Sequence, residues 1–164
     1  MTLTLKTVPF GLASALFLIT SASAQSPSAQ DRKFMEDAAK AGMSEIHMGQ
    51  LALEHASSSA VKSYAQRLID DHTKANEELT ALAKQKSVTL PADNSNMMAK
   101  GLDKKNGTDF DQAFTKMAVE DHQKVIKEFE KEASSGSDPD IKSWASKMLP
   151  SLRAHLDAAK SLKS

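Results

Sequence analysis

Apolar residues recur at intervals of three and four along most of the chain, which predicts four long amphipathic helices. We expect these helices at Asp31 to about Ala56, about Ala60 to Lys86, Thr108 to about Ala133, and Pro139 to about Leu162. Asp31 is the expected cap of the first helix. The turns at 57–59 and near Gly136 are short, so the helices pair into two antiparallel hairpins.

The stretch 87–108 interrupts this periodicity with proline, glycine and asparagine, and leaves room for a short helix at most, from about Met97 to Lys104. A connection of this length is uncommon inside a compact domain, and its natural use is as a crossover between the two hairpins. The pattern therefore predicts an all-α four-helix bundle over residues 31–164.

The segment 1–24 has the features of a secretory signal peptide. Lys6 precedes an uncharged, mostly apolar run from 8 to 20, and the run Ser-Ala-Ser-Ala at 21–24 supplies the small residues of a cleavage site. The alternative is a retained membrane anchor, which needs about 20 apolar residues. We therefore expect an exported, periplasmic protein without stable membrane insertion, and a disordered leader at 25–30.

Composition excludes several classes of function. The 21 basic and 21 acidic residues balance, so nothing attracts the chain to nucleic acid or to an anionic membrane surface. The chain has no cysteine, which excludes disulfides, thiolate metal sites and thiol catalysis. Nothing resembles a nucleophilic triad, a phosphate-binding loop or a nucleotide fingerprint, so no catalytic residue is assigned. Association into a homo-oligomer stays open.

Histidines occupy positions on the apolar stripes of three helices. His72, His122 and His155 each stand where leucine is the ordinary choice, and Glu45 lies on the stripe of the first helix. Glu45 and His72 are almost equally far from the first turn, and His122 and His155 lie at similar separations on either side of the second. With a rise of about 1.5 Å per residue, all four reach the middle third of their helices. We call this layer of four side chains the histidine level.

The histidine level has three interpretations: a polar network that fixes the core, a site for one transition metal, or a site for a small organic ligand. Buried imidazoles need partners, and imidazole with carboxylate suits Zn, Fe, Mn or Cu. The expected metal ligands are His72, His122 and His155, with Glu45 as the fourth. Asp71 and Asp121 each precede one of these histidines and are expected to be outer hydrogen-bond partners or alternative ligands. The eight methionines fit gap-filling in the core.

Several segments carry a family resemblance: Phe34 to Leu53, Val61 to Asn76, Phe110 to His122, and Ala145 to His155. In these the chain resembles the exported bacterial proteins of domain-of-unknown-function family 4142. The resemblance implies a ferritin-like bundle and no defined activity. Di-iron members of the wider ferritin-like class carry Glu-x-x-His, whereas the residues three before the histidines here are Ile69, Val119 and Leu152. A mononuclear site is compatible with this pattern and a di-iron site is not.

The leading functional hypothesis is an exported, non-catalytic bundle whose His/carboxylate cluster either binds one transition metal or simply fixes the core. The first alternative is a periplasmic metalloenzyme that handles oxygen or peroxide. The second is an envelope stress or surface-interaction protein that acts through an outer helical face.

Overall fold

The computed structural model describes residues 26–92 and 101–162 and contains four long helices. They are α1 (Ala29–His55), α2 (Ser59–Lys86), α3 (Gly107–Ser135) and α4 (Pro139–Ser161), with a 3-10 turn at Leu102–Lys104. The predicted all-α, ferritin-like four-helix bundle is confirmed. The predicted signal peptide at 1–24 lies outside the described residues, as does part of the predicted short helix before Lys104.

The first helix begins two residues earlier than predicted. Ser28, not Asp31, is its cap: the Ser28 hydroxyl accepts from the Asp31 backbone N–H, and the Asp31 carboxylate accepts from the Ser28 backbone N–H. This reciprocal capping box satisfies two N–H groups that a helix start otherwise leaves free. The helix therefore includes Ala29 and Gln30, the last two residues of the predicted leader at 25–30. At α4, the Asp138 cap and Pro139 at the first position agree with the prediction.

The order of the helices follows from contacts at their ends. The start of α1 meets the end of α3 through Gln30 and Glu132, whose side chains are 3.2 Å apart, so α1 and α3 are antiparallel. The end of α2 meets the start of α4 through Lys86 and Asp138, 2.8 Å apart, so these helices are also antiparallel. Because each hairpin is antiparallel as well, α2 and α3 run parallel. The connection between them therefore crosses from one end of the bundle to the other.

Two buried carboxylates join each hairpin to the turn of the other. Asp111, on α3, accepts hydrogen bonds from the backbone N–H groups of Ser57 and Ser58 in the α1–α2 turn, and from the Ser57 hydroxyl. At the opposite end, Asp31 on α1 accepts from the backbone N–H of Ser137 in the α3–α4 turn, at 2.8 Å. Both residues are almost fully buried. Each turn is thus held by an acceptor that the other hairpin supplies.

The apolar core is divided into two clusters. The upper cluster lies beside the α1–α2 turn, and its largest members are Tyr64, Phe110 and Phe114. The lower cluster lies beside the α3–α4 turn, and its largest members are Phe34, Met35, Leu79, Phe129 and Trp144. Glu45 and the three histidines occupy the level between the clusters. No helix within 26–92 or 101–162 is long and apolar enough to cross a membrane.

Candidate metal centre

Three imidazole rings meet in the middle of the bundle, one each from α2, α3 and α4. The ring centroids of His72, His122 and His155 are 5.4 to 6.0 Å apart. Each residue offers a ring nitrogen, and the three nitrogens lie within 4.8 Å of one another. Metal–imidazole bonds of about 2.0–2.1 Å require nitrogens about 3.4 Å apart. A modest rotation of the rings therefore brings this histidine triad to coordination distance.

A backbone carbonyl determines the tautomer of His122. Its Nδ1 donates a hydrogen bond to the carbonyl oxygen of Ala118, one helical turn earlier, at 2.9 Å. Because a carbonyl oxygen only accepts, the proton of the neutral ring is on Nδ1 and the lone pair is on Nε2. That Nε2 is buried without a partner among the described residues. Burial lowers the pKa of His122 to about 4, so the ring is neutral near pH 7.

A carboxylate determines the tautomer of His155 in the opposite sense. The Nε2 of His155 donates to the Oδ2 of Asp71 at 2.7 Å, and the Nε of Arg67 lies 3.4 Å from the same oxygen. The Nδ1 of His155 therefore keeps the lone pair, and it too is buried without a partner in the described structure. Burial lowers the pKa of His155, and the hydrogen bond and charge of Asp71 oppose that effect.

His72 completes the triad from α2. Burial lowers its pKa to about 3, and the neighbouring His155 and His122 add to the effect. Its Nε2 is buried and has no hydrogen-bond partner in the described part of the chain. The structure thus places three uncharged rings side by side, each with a buried nitrogen that no described group satisfies. For two of them an outer partner fixes the ring, which is the arrangement that ligating histidines have.

Glu45, on α1, contacts the triad from the side. Its Oε1 lies 3.8 Å from the Nδ1 of His122, which is too long for a hydrogen bond. Burial, and to a smaller extent the charge of Asp121, raises the pKa of Glu45 to about 8. At neutral pH the carboxyl is protonated and the imidazole is uncharged, so this contact is not an ion pair.

The two aspartates that precede histidines have different surroundings. Asp71 faces α4 and holds His155. Asp121 lines a groove of about 600 Å³ between α1 and α3, which Glu45 also lines, and within the described residues it makes no hydrogen bond or ion pair to the histidine triad. Burial raises the pKa of Asp121. Asp71 therefore belongs to the triad as an outer partner, and Asp121 belongs to the groove.

The donor set suits a borderline or soft transition metal. Neutral imidazole nitrogens favour Zn, Cu, Fe and Ni, whereas Mg, Ca and Mn prefer carboxylate and carbonyl oxygens. Within residues 26–92 and 101–162, the triad is the only group of three or more His, Asp or Glu arranged to hold an ion. These residues can hold one metal ion.

Two groups that hold the site were missed by reasoning from the sequence. The Ala118 carbonyl fixes His122 but is a backbone group, which residue identity does not reveal. Arg67 is four residues before Asp71, and the i, i+4 spacing of opposite charges was a usable signal for that pair.

Comparison with known proteins identifies the family. The sequence profile described as "Domain of unknown function (DUF4142)" matches residues 18–162. The chain belongs to this family. The resemblance inferred from the sequence segments is therefore confirmed. No curated protein matches the chain at a significant level.

Solved structures with the same fold include two proteins. A DUF305 fragment from Deinococcus radiodurans has a TM-score of 0.72 and 12% identity, over 83% of this chain and 96% of the fragment. CopM in its Cu(I)-bound form has a TM-score of 0.66 and 20% identity, over 79% of this chain and 92% of CopM. CopM in its Cu(II)-bound form has a TM-score of 0.65 and 19% identity, over 79% and 93%. At these identities the likeness establishes the fold.

Proposed function

We propose that this DUF4142 protein is an exported, non-catalytic bundle that binds one copper ion through His72, His122 and His155. The observation that carries the proposal is a set of three adjacent rings, each with a buried nitrogen that has no partner in the described structure: Nε2 of His72, Nε2 of His122 and Nδ1 of His155. An unpartnered buried polar atom costs about 1–3 kcal/mol. A bound metal satisfies all three atoms at once.

Two arguments favour copper among the metals that imidazole accepts. Divalent copper stands at the top of the affinity order for nitrogen sites of this kind. The three rings are also uncharged, so a singly charged ion such as Cu(I) leaves less uncompensated charge in the interior than a divalent ion does. CopM, which shares the fold, has been solved with Cu(I), Cu(II) and silver, and this agrees with the choice of copper.

The surroundings suit retention of the ion. The triad lies between two apolar clusters, and the positions of His122 and His155 are set by Ala118 and Asp71. Such a site surrounds an ion with apolar side chains and holds two of its three rings by hydrogen bonds. Export, together with buried retention, indicates a role in copper sequestration outside the cytoplasm.

Metal content tests the proposal directly. The protein is isolated without chelators, and metals are measured per chain for the wild type and for single alanine variants of the triad, with His47→Ala as the matched control outside the triad. We expect about one copper per chain in the wild type and in the control, and less than a tenth of that in the triad variants. Zinc at full occupancy would replace copper in the proposal, and metal that persists in the triad variants would exclude this site.

The specific alternative is an oxygen- or peroxide-handling metalloenzyme. One observation favours it: a cavity beside His72 and His155, which leaves space next to a bound metal. Turnover of oxygen or peroxide by the copper-loaded protein, compared with the same copper in His72→Ala, distinguishes the two functions. Activity above that of the variant supports the enzyme.

A further inference from the structure

A small cavity lies directly below the histidine triad and opens partly to the surface. It has a volume of about 60 Å³, and all four helices contribute to its wall. His72 and His155 form its upper end, and Trp144 of the lower cluster belongs to its wall.

Small residues create this space. Ala38 and Ala41 on α1 and Ala75 on α2 line the cavity. The apolar clusters above and below it contain larger side chains. The contact between α1 and α2 does not fill the cavity. The Asn76 amide packs against Gly42, where an added methyl group would collide with the amide oxygen. The two helices are therefore already in contact, and the space beside the alanines stays open.

The wall has polar groups at its two ends and is mostly apolar between them, where Asn76 and Ser151 are the polar residues. His72 Nε2 and His155 Nδ1 are unpartnered in the described residues, and so is the indole Nε1 of Trp144, a buried donor. The Asp71 carboxylate also lines the cavity, and its negative charge opposes an anion. Water occupies about 30 Å³ in the liquid, so the volume corresponds to about two heavy atoms. These features select a small, uncharged molecule.

We infer that this cavity is a binding site for an uncharged molecule of about two heavy atoms, in the size range of dioxygen or hydrogen peroxide. Its occupant lies beside His72 and His155, on the side away from the upper cluster. The statement that a metal lies next to the occupant rests on the proposed function. The cavity itself does not depend on that function, because side chains of this protein form it.

Xenon tests the cavity in the metal-free protein. Xenon is an uncharged probe of suitable size, and its binding is followed by the chemical shifts of methyl groups that line the cavity. We expect saturable shifts in the wild type and at least a tenfold weaker response in Ala75→Leu, whose larger side chain occupies the space. Ala60→Leu is the matched control, because Ala60 is exposed on the same helix. If Ala75→Leu does not fold, Ala41→Val provides a smaller filling of the same space. An equal response in wild type and filled variant, or no saturable response, overturns the inference.

Carbon monoxide tests the position beside the metal. The Cu(I)-loaded wild type is exposed to carbon monoxide and its infrared stretching band is recorded, with copper per chain measured in parallel. We expect a single sharp band in wild type and Ala60→Leu, and a loss of at least tenfold in intensity in Ala75→Leu at unchanged copper content. An unchanged band in Ala75→Leu overturns the inference while the copper site stands. Xenon binding without copper binding would instead retain the cavity and reject the copper proposal.

Discussion

The ends and the middle of this bundle treat buried polar groups in opposite ways. At the upper end, Asp111 is 3% exposed and accepts three hydrogen bonds from the α1–α2 turn. In the middle, His122 is 2% exposed, and among the described residues neither its Nε2 nor one carboxyl oxygen of Glu45 has a partner. The two residues are almost equally buried, but His122 keeps a ring nitrogen without a hydrogen-bond partner in the described residues. Asp111 uses its hydrogen bonds to hold a turn, whereas the triad groups three rings that each keep an unpartnered nitrogen among the described residues.

The comparison predicts that removing a triad imidazole costs metal affinity and no stability. In His72→Leu we expect copper affinity to fall about 1,000-fold, or about 4 kcal/mol, because one of three ligands is lost. The unfolding free energy of the metal-free protein should stay equal or rise, since leucine removes an unpartnered polar group from the core. Chelator competition measures the affinity and urea denaturation the stability. A metal-free variant more than about 1 kcal/mol less stable than wild type would make His72 a structural residue.

A substitution at the upper end of the bundle should instead lower stability and leave copper binding unchanged. Asp111→Ala should lower the unfolding free energy by about 3 kcal/mol, because the N–H groups of Ser57 and Ser58 lose their acceptor. Copper stoichiometry of the folded variant should not change. Asp109→Ala on the same helix is the control, since Asp109 is exposed. Equal urea midpoints for the two variants would show that the Asp111 hydrogen bonds do not stabilise the turn.

Stability of the metal-free protein should depend on pH in two opposed ways. Burial lowers the pKa of His72 to about 3 and of His122 to about 4, so below pH 6.5 the unfolded state binds protons that the native state does not, and stability falls as pH decreases. Burial raises the pKa of Glu45 to about 8 from 4.5. Between pH 4.5 and 8 the Glu45 carboxyl is therefore ionised in the unfolded state and protonated in the native state. The free energy of unfolding consequently falls as pH increases toward 8.

We therefore expect a maximum near pH 6.5 and a fall of about 1 kcal/mol by pH 8. Urea denaturation across this range measures the profile. Glu45→Gln cannot ionise and should abolish the alkaline decrease. It should also make the acid decrease steeper, because between pH 4.5 and 6.5 the ionisation of Glu45 in the unfolded state opposes the effect of the histidines. A wild-type profile that is flat between pH 6.5 and 8 would show that Glu45 ionises normally in the folded protein.

The smallest predicted effect concerns the outer partner of His155. Asp71→Asn keeps the size of the side chain but replaces the carboxylate that accepts the hydrogen bond from His155 Nε2. Copper affinity should therefore fall about tenfold, or about 1.4 kcal/mol. Histidine ¹⁵N shifts should show a mixed tautomer of His155 in the metal-free variant, which a merely structural change would not produce. Asp70→Asn on the exposed neighbouring position is the control. Unchanged tautomer and affinity would remove Asp71 from the site.

The helices, the crossover and the level of the histidines were accessible from the sequence, because periodicity and cap residues depend on local chemistry. The roles of the two aspartates were not. Asp71 and Asp121 occupy the same dipeptide, Asp-His, and each lies about 100° around its helix from the histidine. On α2 that flank faces α4 and His155, and on α3 it faces α1 and Glu45. Only the arrangement of helices assigns one to the triad and the other to the groove.

The exchange of acceptors between hairpins has a consequence for how the protein folds. An isolated α1–α2 hairpin leaves its turn without Asp111, and an isolated α3–α4 hairpin leaves its turn without Asp31. The triad likewise takes one ring from the first hairpin and two from the second. Docking of the hairpins therefore completes both turns and creates the ligand set in a single cooperative event. Neither hairpin carries all three rings of its own, and a cell that makes this protein assembles the histidine triad only when folding is complete.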